Sequence, residues 1–180
     1  MVADTRQRRL WWRHLISILV APVVMALLIP ASILNWHIRM PDLGSPLIAG
    51  LVVVGGLLIA VGLGLMIWTV LLFDREGKGT LGVGKAMGEP VHLVLQGPYR
   101  HVRNPMITGV LCILLGEAAV LASGWLLLWF AIFFAGIASV IRFWEEPHLA
   151  QRYGSAYLDY RANVPAWIPR ISAWTPGDTG

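Results

Sequence analysis

Residues 47–73 run for 27 positions without one charged side chain. A helix that crosses a bilayer needs about 20 mostly apolar residues, whereas a strand or helix of a soluble core needs no such unbroken run. Three more apolar blocks accompany it, at 15–34, 106–122 and 125–143. The second and fourth blocks carry the pattern most strongly. The first contains Pro22 and Pro30, and the third is short and contains Glu117. Composition agrees with the blocks: 57% of the 180 residues are hydrophobic and 13% are charged, against about 25% charged in a soluble domain. The sequence therefore predicts an all-α, polytopic membrane protein of about four transmembrane helices, folded as a single domain over 1–180. Only Ser123 and Gly124 separate the third block from the fourth, which predicts a tight helical hairpin.

Charge sets the expected orientation. Arg6, Arg8, Arg9 and Arg13 precede the first block. Arg75, Lys78, Lys85, Arg100 and Arg103 lie between the second and third. Arg142, Arg152, Arg161 and Arg170 follow the fourth, leaving only Arg39 on the other side. Cytoplasmic loops collect basic residues, so the pattern predicts a cell-membrane protein with both termini cytoplasmic, a cytoplasmic loop over 74–105 and a C-terminal cap over 144–172. The net charge of +4 then reads as topology and contact with anionic lipid, not as nucleic-acid binding. Trp11, Trp12, Trp36, Trp125 and Trp144 fall near block ends, where amphipathic rings prefer to lie. The first block follows a basic arm but lacks a small-x-small cleavage site after it, and is read as a retained span. The one cysteine, Cys112, excludes an intrachain disulfide or a multi-cysteine metal site.

Small residues recur at Gly56, Ala60 and Gly64 within the second block. Such a strip lets helices approach closely in lipid, and internal helix packing is its expected use. The loop beyond contains Gly77, Gly79 and Gly82 at GxGxxG spacing, and 79–85 comes close to a phosphate-binding loop. Neither pattern has its required context. The dinucleotide fingerprint must follow a β-strand, and the phosphate loop needs Ser or Thr after its lysine, where Ala86 stands.

Three polar constellations remain. GPYRHVRNP, 97–105, turns at Gly97-Pro98 and then crowds two arginines, a histidine, a tyrosine and an asparagine against the start of the third block, with His92 and Leu93 just upstream. RFWEEPHL, 142–149, places Glu145 and Glu146 at the inner end of the fourth block. Paired carboxylates at that depth are costly unless partnered, which marks them as functional candidates. Arg100 or Arg103 could partner them across the hairpin. YGSAYLDYRANVPAWIPR, 153–170, begins as a short amphipathic helix and ends in an extended segment interrupted by Pro165 and Pro169. Glu117 lies more than ten residues beyond Pro105, on the order of 15 Å deeper by helix rise. Hydrogen bonding to a neighbouring helix is its expected role.

These three runs, in this order around a helical hairpin, resemble the isoprenylcysteine carboxyl methyltransferase family and its phospholipid N-methyltransferase relatives. The resemblance covers residues 78–172. It implies an integral-membrane enzyme that uses S-adenosylmethionine, with a cytoplasmic cofactor-binding cap. Carried over by position, it implies cofactor contacts from His92, Leu93, Tyr99, Arg103, Asn104, Pro105, Glu145 and Glu146. Arg103, Glu145, Glu146 and Arg100 become the catalytic candidates, and Tyr157, Tyr160 and Pro169 belong to the capping tail. Asn104 stands where prenylcysteine enzymes usually carry histidine, and Ile107 where an aromatic commonly follows. The acceptor implied is a membrane lipid or an isoprenoid-linked molecule, methylated on a carboxylate, with phospholipid-type N-methylation as the alternative. A membrane reductase using NADPH shares the broad architecture, but the paired glutamates oppose a 2′-phosphate. A non-enzymatic membrane protein would need none of these polar residues.

Overall fold

The computed structural model describes residues 24–37, 44–76, 93 and 95–176. The N-terminal basic arm, the glycine-rich loop and His92 lie outside them. Every regular element among the described residues is helical. A π-helical segment, Val24–Leu28, leads into α1, Ile29–His37. Then come α2, Pro46–Glu76, a 3-10 turn, Gly97–Arg100, and α3, Pro105–Val120. Helix α4, Gly124–Val140, continues through a π turn, Ile141–Glu145, into α5, Glu146–Tyr153, and α6, Ser155–Asn163, follows.

Two helices are long and apolar enough to cross a membrane: Pro46–Leu72 and the continuous Gly124–Tyr153. Only 11% of the most apolar window of each is buried within the chain. A soluble core helix would be mostly covered. Here Leu57, Ile67, Leu127 and Ile132 point outward, each at least half exposed. Hydroxyls inside the apolar helices are satisfied locally: Ser32 Oγ, Thr69 Oγ1 and Ser139 Oγ each donate to the carbonyl four residues back, at 2.8, 2.7 and 2.7 Å. That is the arrangement a lipid surround demands. Helix α3 has 16 residues, about 24 Å of rise, against a hydrocarbon core of about 30 Å.

The best-packed pair is α2 with α3, and glycine decides how it packs. A Cβ added at Gly62 would lie 2.5 Å from Gly109 O, and one at Gly55 would lie 2.6 Å from Gly116 O. The two helices therefore run antiparallel in backbone contact. The seam on α2 is Gly55, Ile59, Gly62, Met66 and Thr69, and on α3 it is Gly109, Ile113, Gly116 and Val120. Both follow the alternating 4-and-3 spacing of a close-packed helix pair. This corrects the expectation from Gly56, Ala60 and Gly64. Gly56 and Gly64 have nothing within 4 Å of a built Cβ, because a four-residue repeat drifts off a seam whose period is 3.5.

Two prolines sit inside helical runs, and each follows a π turn. Proline removes one helical hydrogen bond and its ring collides with the carbonyl four residues earlier; a widened turn relieves both. Val24–Leu28 precedes Pro30, and Met25 O there accepts from Trp129 Nε1 of α4 at 3.3 Å. Ile141–Glu145 precedes Pro147, and the Glu146 N–H reaches back to Ile141 O. The expected hairpin forms between α3 and α4. Ser123 caps α4 by accepting from Leu126 N at 3.4 Å.

Candidate active site

Antiparallel packing brings the C-terminal ends of α2 and α4 to the N-terminal end of α3. The chain enters this end at Gly97, whose φ of +54° favours glycine. A Cβ there would also press to 3.4 Å on Trp68 Nε1 and Leu72 Cδ2 of α2. The 3-10 turn then carries Tyr99 and Arg100, buries Val102 completely, and delivers Arg103 and Asn104 to the first turn of α3, where Pro105 needs no N–H donor.

Arg103 and Glu146 form the centre. Arg103 Nη1 donates to Glu146 Oε1 at 2.7 Å, with side chains only 12% and 5% exposed. The other oxygen, Oε2, accepts from Arg142 Nη1 at 3.2 Å and pairs with Arg161 Nε at 3.4 Å. Three guanidiniums from three elements thus converge on one buried carboxylate. The π turn makes this possible: its extra residue per turn rotates Glu146 inward under Arg103. Arg103 Nη1 also reaches the Tyr157 hydroxyl at 3.4 Å, while Arg103 Nε is buried with no hydrogen-bond partner among the described residues.

Glu145 is placed differently. It lies past the apolar block, is half-buried, and none of the three arginines pairs with it. Burial, and then the charge of Glu146, push its carboxyl above the usual range. Burial likewise raises the phenols of Tyr99, Tyr157 and Tyr160, keeping all three neutral donors. Tyr160 uses its proton to bond Tyr99 O at 2.7 Å. Tyr157, Tyr160, Val164 and Trp174 form a buried cluster, and Leu93 packs against it. Among the described residues, Trp174 Nε1 is the other buried donor left without a partner.

The segment after α6 is laced onto the loop before α3. Arg103 N donates to Pro165 O at 2.9 Å, Asn104 Nδ2 to Ala166 O at 3.2 Å, and Arg170 N to His101 O at 2.9 Å. His101 Nδ1 bonds Arg170 O at 2.8 Å; a carbonyl only accepts, so this nitrogen carries the proton. Arg100 spends its guanidinium here as well, Nε on Trp174 O at 2.8 Å and Nη2 on Thr175 Oγ1 at 3.1 Å.

Of the sequence candidates, Arg103, Asn104, Pro105, Tyr99, Glu145, Glu146 and Leu93 therefore gather at one end of the hairpin, with Tyr157 and Tyr160 beside them. Arg103, not Arg100, takes the glutamate. Pro169 is exposed at the edge. Sequence reasoning missed Arg142 and Arg161 as partners of Glu146. The first was legible from its four-residue spacing; nothing flagged the second.

A model of the phospholipid methyltransferase (PEMT) family matches residues 51–156. The chain belongs to that family. It is an S-adenosylmethionine-dependent methyltransferase related to the phospholipid enzymes, and the match does not extend to the isoprenylcysteine carboxyl branch that the motifs suggested. The matched stretch takes in α2 to α5 and stops one residue short of Tyr157. No curated protein and no solved structure matches the chain.

Proposed function

We propose that this chain methylates the amine headgroup of a membrane lipid, with S-adenosylmethionine held at the Arg103, Glu145 and Glu146 end of the hairpin. The observation that carries the reading is Arg103. One of its nitrogens closes on Glu146, and its Nε is a buried donor without a partner among the described residues. A guanidinium already fixed in place and still short of one acceptor suits the carboxylate of an incoming amino-acid group. Glu145, which none of the three arginines neutralises, takes the matching ammonium. Tyr99, Asn104, Pro105 and Leu93 enclose the remainder. Arg100 and Glu146 act as positioning residues: the first holds the tail and the second holds Arg103.

When bound, S-adenosylmethionine would supply a methyl group on a sulfonium, given to the acceptor nitrogen with the electron pair of the broken S–C bond left on sulfur. Arg103 and Glu145 would hold its amino-acid end, so the protein's task is orientation, an effect worth roughly 7–11 kcal/mol when fully realised. The chain crosses the bilayer four times with both termini and this site on the cytoplasmic side, which lets a lipid acceptor arrive laterally. Support for this topology comes from the basic residues at the site end and the two long exposed apolar helices. Carboxyl O-methylation of an isoprenoid-linked acceptor has no observation of its own to set against the family match.

Binding of S-adenosylhomocysteine by calorimetry tests the cofactor site, and absence of saturable binding would sink it. Methyl-tritiated donor and total lipid extract then test the acceptor. An amine product keeps its label in alkali, whereas an ester releases methanol and reverses the assignment. Rate against pH gives a second readout. A lipid amine with a pKa near that of lysine, about 10.4, attacks only when neutral, so the rate climbs with pH. A carboxylate acceptor gives a flat profile above about pH 6.

A further inference from the structure

We infer that residues 165–171 form a wedge that sets the side chains of Ile168 and Ile171 into the hydrocarbon of the bilayer leaflet on the site side, beside α4. The inference rests on the membrane-spanning reading and goes beyond it. It concerns a segment outside the family match, which ends at residue 156.

Depth is the first observation. The Trp167 ring meets Phe134 edge to face, with centroids 5.5 Å apart. Phe134 lies in the apolar run of α4, nine residues before Phe143 and so about 13 Å down the helix. Thr108, inside the first turn of α3, donates to Trp167 O at 3.4 Å. Because α3 is some 6 Å shorter than the hydrocarbon is thick, at least one of its ends lies within it, and the Trp167–Phe134 contact points to its start. The tail packed against that start lies there too.

Chemistry is the second observation. Irregular backbone near the membrane is costly unless protein or interfacial water pairs its polar groups, and here the protein pairs several of them. The carbonyls of Pro165, Ala166, Trp167 and Arg170 all accept hydrogen bonds, from Arg103 N, Asn104 Nδ2, Thr108 Oγ1 and His101 Nδ1. Pro165 and Pro169 have no N–H to satisfy. Two outward side chains are the reverse of what a water-facing loop would carry, while Arg170 between them turns its guanidinium back to Asn163 O at 2.9 Å and Ser172 Oγ at 3.2 Å. Ile168 is 80% exposed and Ile171 is fully exposed. Continuity is the third observation: α4 beside the wedge is itself apolar and exposed at Ile132 and Phe134. The occupant of this face is therefore lipid acyl chain, and the wedge forms a wall beside the cofactor end at the depth where a lipid acceptor must approach.

Nitroxide labels test this in liposome-reconstituted full-length protein carrying Cys112→Ala. Single cysteines replace Ile168, Ile171, Ile132 as the membrane control and Leu158 on α6 as the water control; all four positions are exposed. Circular dichroism and a single gel-filtration peak confirm that each labelled protein is folded. Relaxation by oxygen, which concentrates in lipid, is compared with relaxation by a water-soluble nickel chelate. The expected result is oxygen-dominated relaxation at 132, 168 and 171 and nickel-dominated relaxation at 158. Nickel-dominated relaxation at 168 and 171 with oxygen at 132 overturns the wedge alone. Nickel at 132 overturns the membrane-spanning reading and the wedge with it. Oxygen at 158 as well overturns a discrete wedge, since the whole cap would then lie in lipid.

Discussion

Arg103 Nη1 and Glu146 Oε1 meet at 2.7 Å across 43 residues of sequence, and both side chains are almost wholly covered. The contact ties the loop just before α3 to the first residue of α5. Removing one member of a buried pair leaves an uncompensated charge, at a cost of about 3–5 kcal/mol. Glu146→Ala is therefore expected to lower the thermal midpoint in detergent sharply. Arg142 is 61% exposed on its side chain, and its ion pair is worth at most about 1 kcal/mol. Arg142→Ala should barely move the midpoint. Equal losses in the two variants would show that the three arginines share the carboxylate evenly.

The α2–α3 seam makes a sharper positional statement. Gly62→Val must push side-chain carbon into the Gly109 carbonyl, since even the first added atom stands 2.5 Å away. The helices cannot keep their spacing, and overpacking of this kind costs about 1–3 kcal/mol or more. Gly56→Val, only six positions away, meets open space and should leave folding intact. Folded yield by fluorescence-detected gel filtration separates the two. Loss of both would place Gly56 in an interface between chains.

That contrast also shows where the sequence was legible. Apolar block length located α2, α3 and α4 to within a few residues, because lipid solvation acts on composition alone. The active face of α2 was not legible, since Gly55 and Gly56 are indistinguishable until the partner helix selects a 3.5-residue seam. The paired glutamates stood out, but their division of labour did not. Only the π turn before Pro147 decides that Glu146 turns inward to three arginines. Arg100 looked like a substrate ligand because a basic residue beside a polar site always does; its commitment to Trp174 O and Thr175 depends on the path of a tail 74 residues away.

Helix α3 ends with a left-handed residue that is not glycine. Ala122 has φ +44°, Ser123 N bonds Ala118 O at 3.0 Å, and Ala122 N bonds Ala119 O at 3.1 Å. This double closure normally places glycine at the residue with positive φ. Alanine there carries a steric penalty of about 1–2 kcal/mol. Ala122→Gly should relieve it, offset in part by greater freedom of the unfolded chain, and raise the thermal midpoint by a few degrees. A lowered midpoint would mean that the alanine methyl makes a contact worth more than the strain.

Glu145 gives the prediction that separates stability from activity. Its carboxyl is raised by burial and by Glu146, so the folded protein binds this proton more tightly than the unfolded chain does. Between the ordinary carboxylate pKa and the raised one, the native state holds more protons, and stability falls as pH rises through that window. Above it the full cost of a buried charge is present. Glu145→Gln removes the charge and keeps the shape. The variant should therefore be more heat-stable than wild type at neutral pH, equal to it in acid, and flatter in its stability profile. If Glu145 holds the cofactor's ammonium, the same substitution weakens S-adenosylhomocysteine binding by tenfold or more, a loss of about 1.4 kcal/mol. A variant that is stabilised yet binds normally would take Glu145 out of the cofactor site. One that is destabilised would mean the carboxylate has a structural cation of its own.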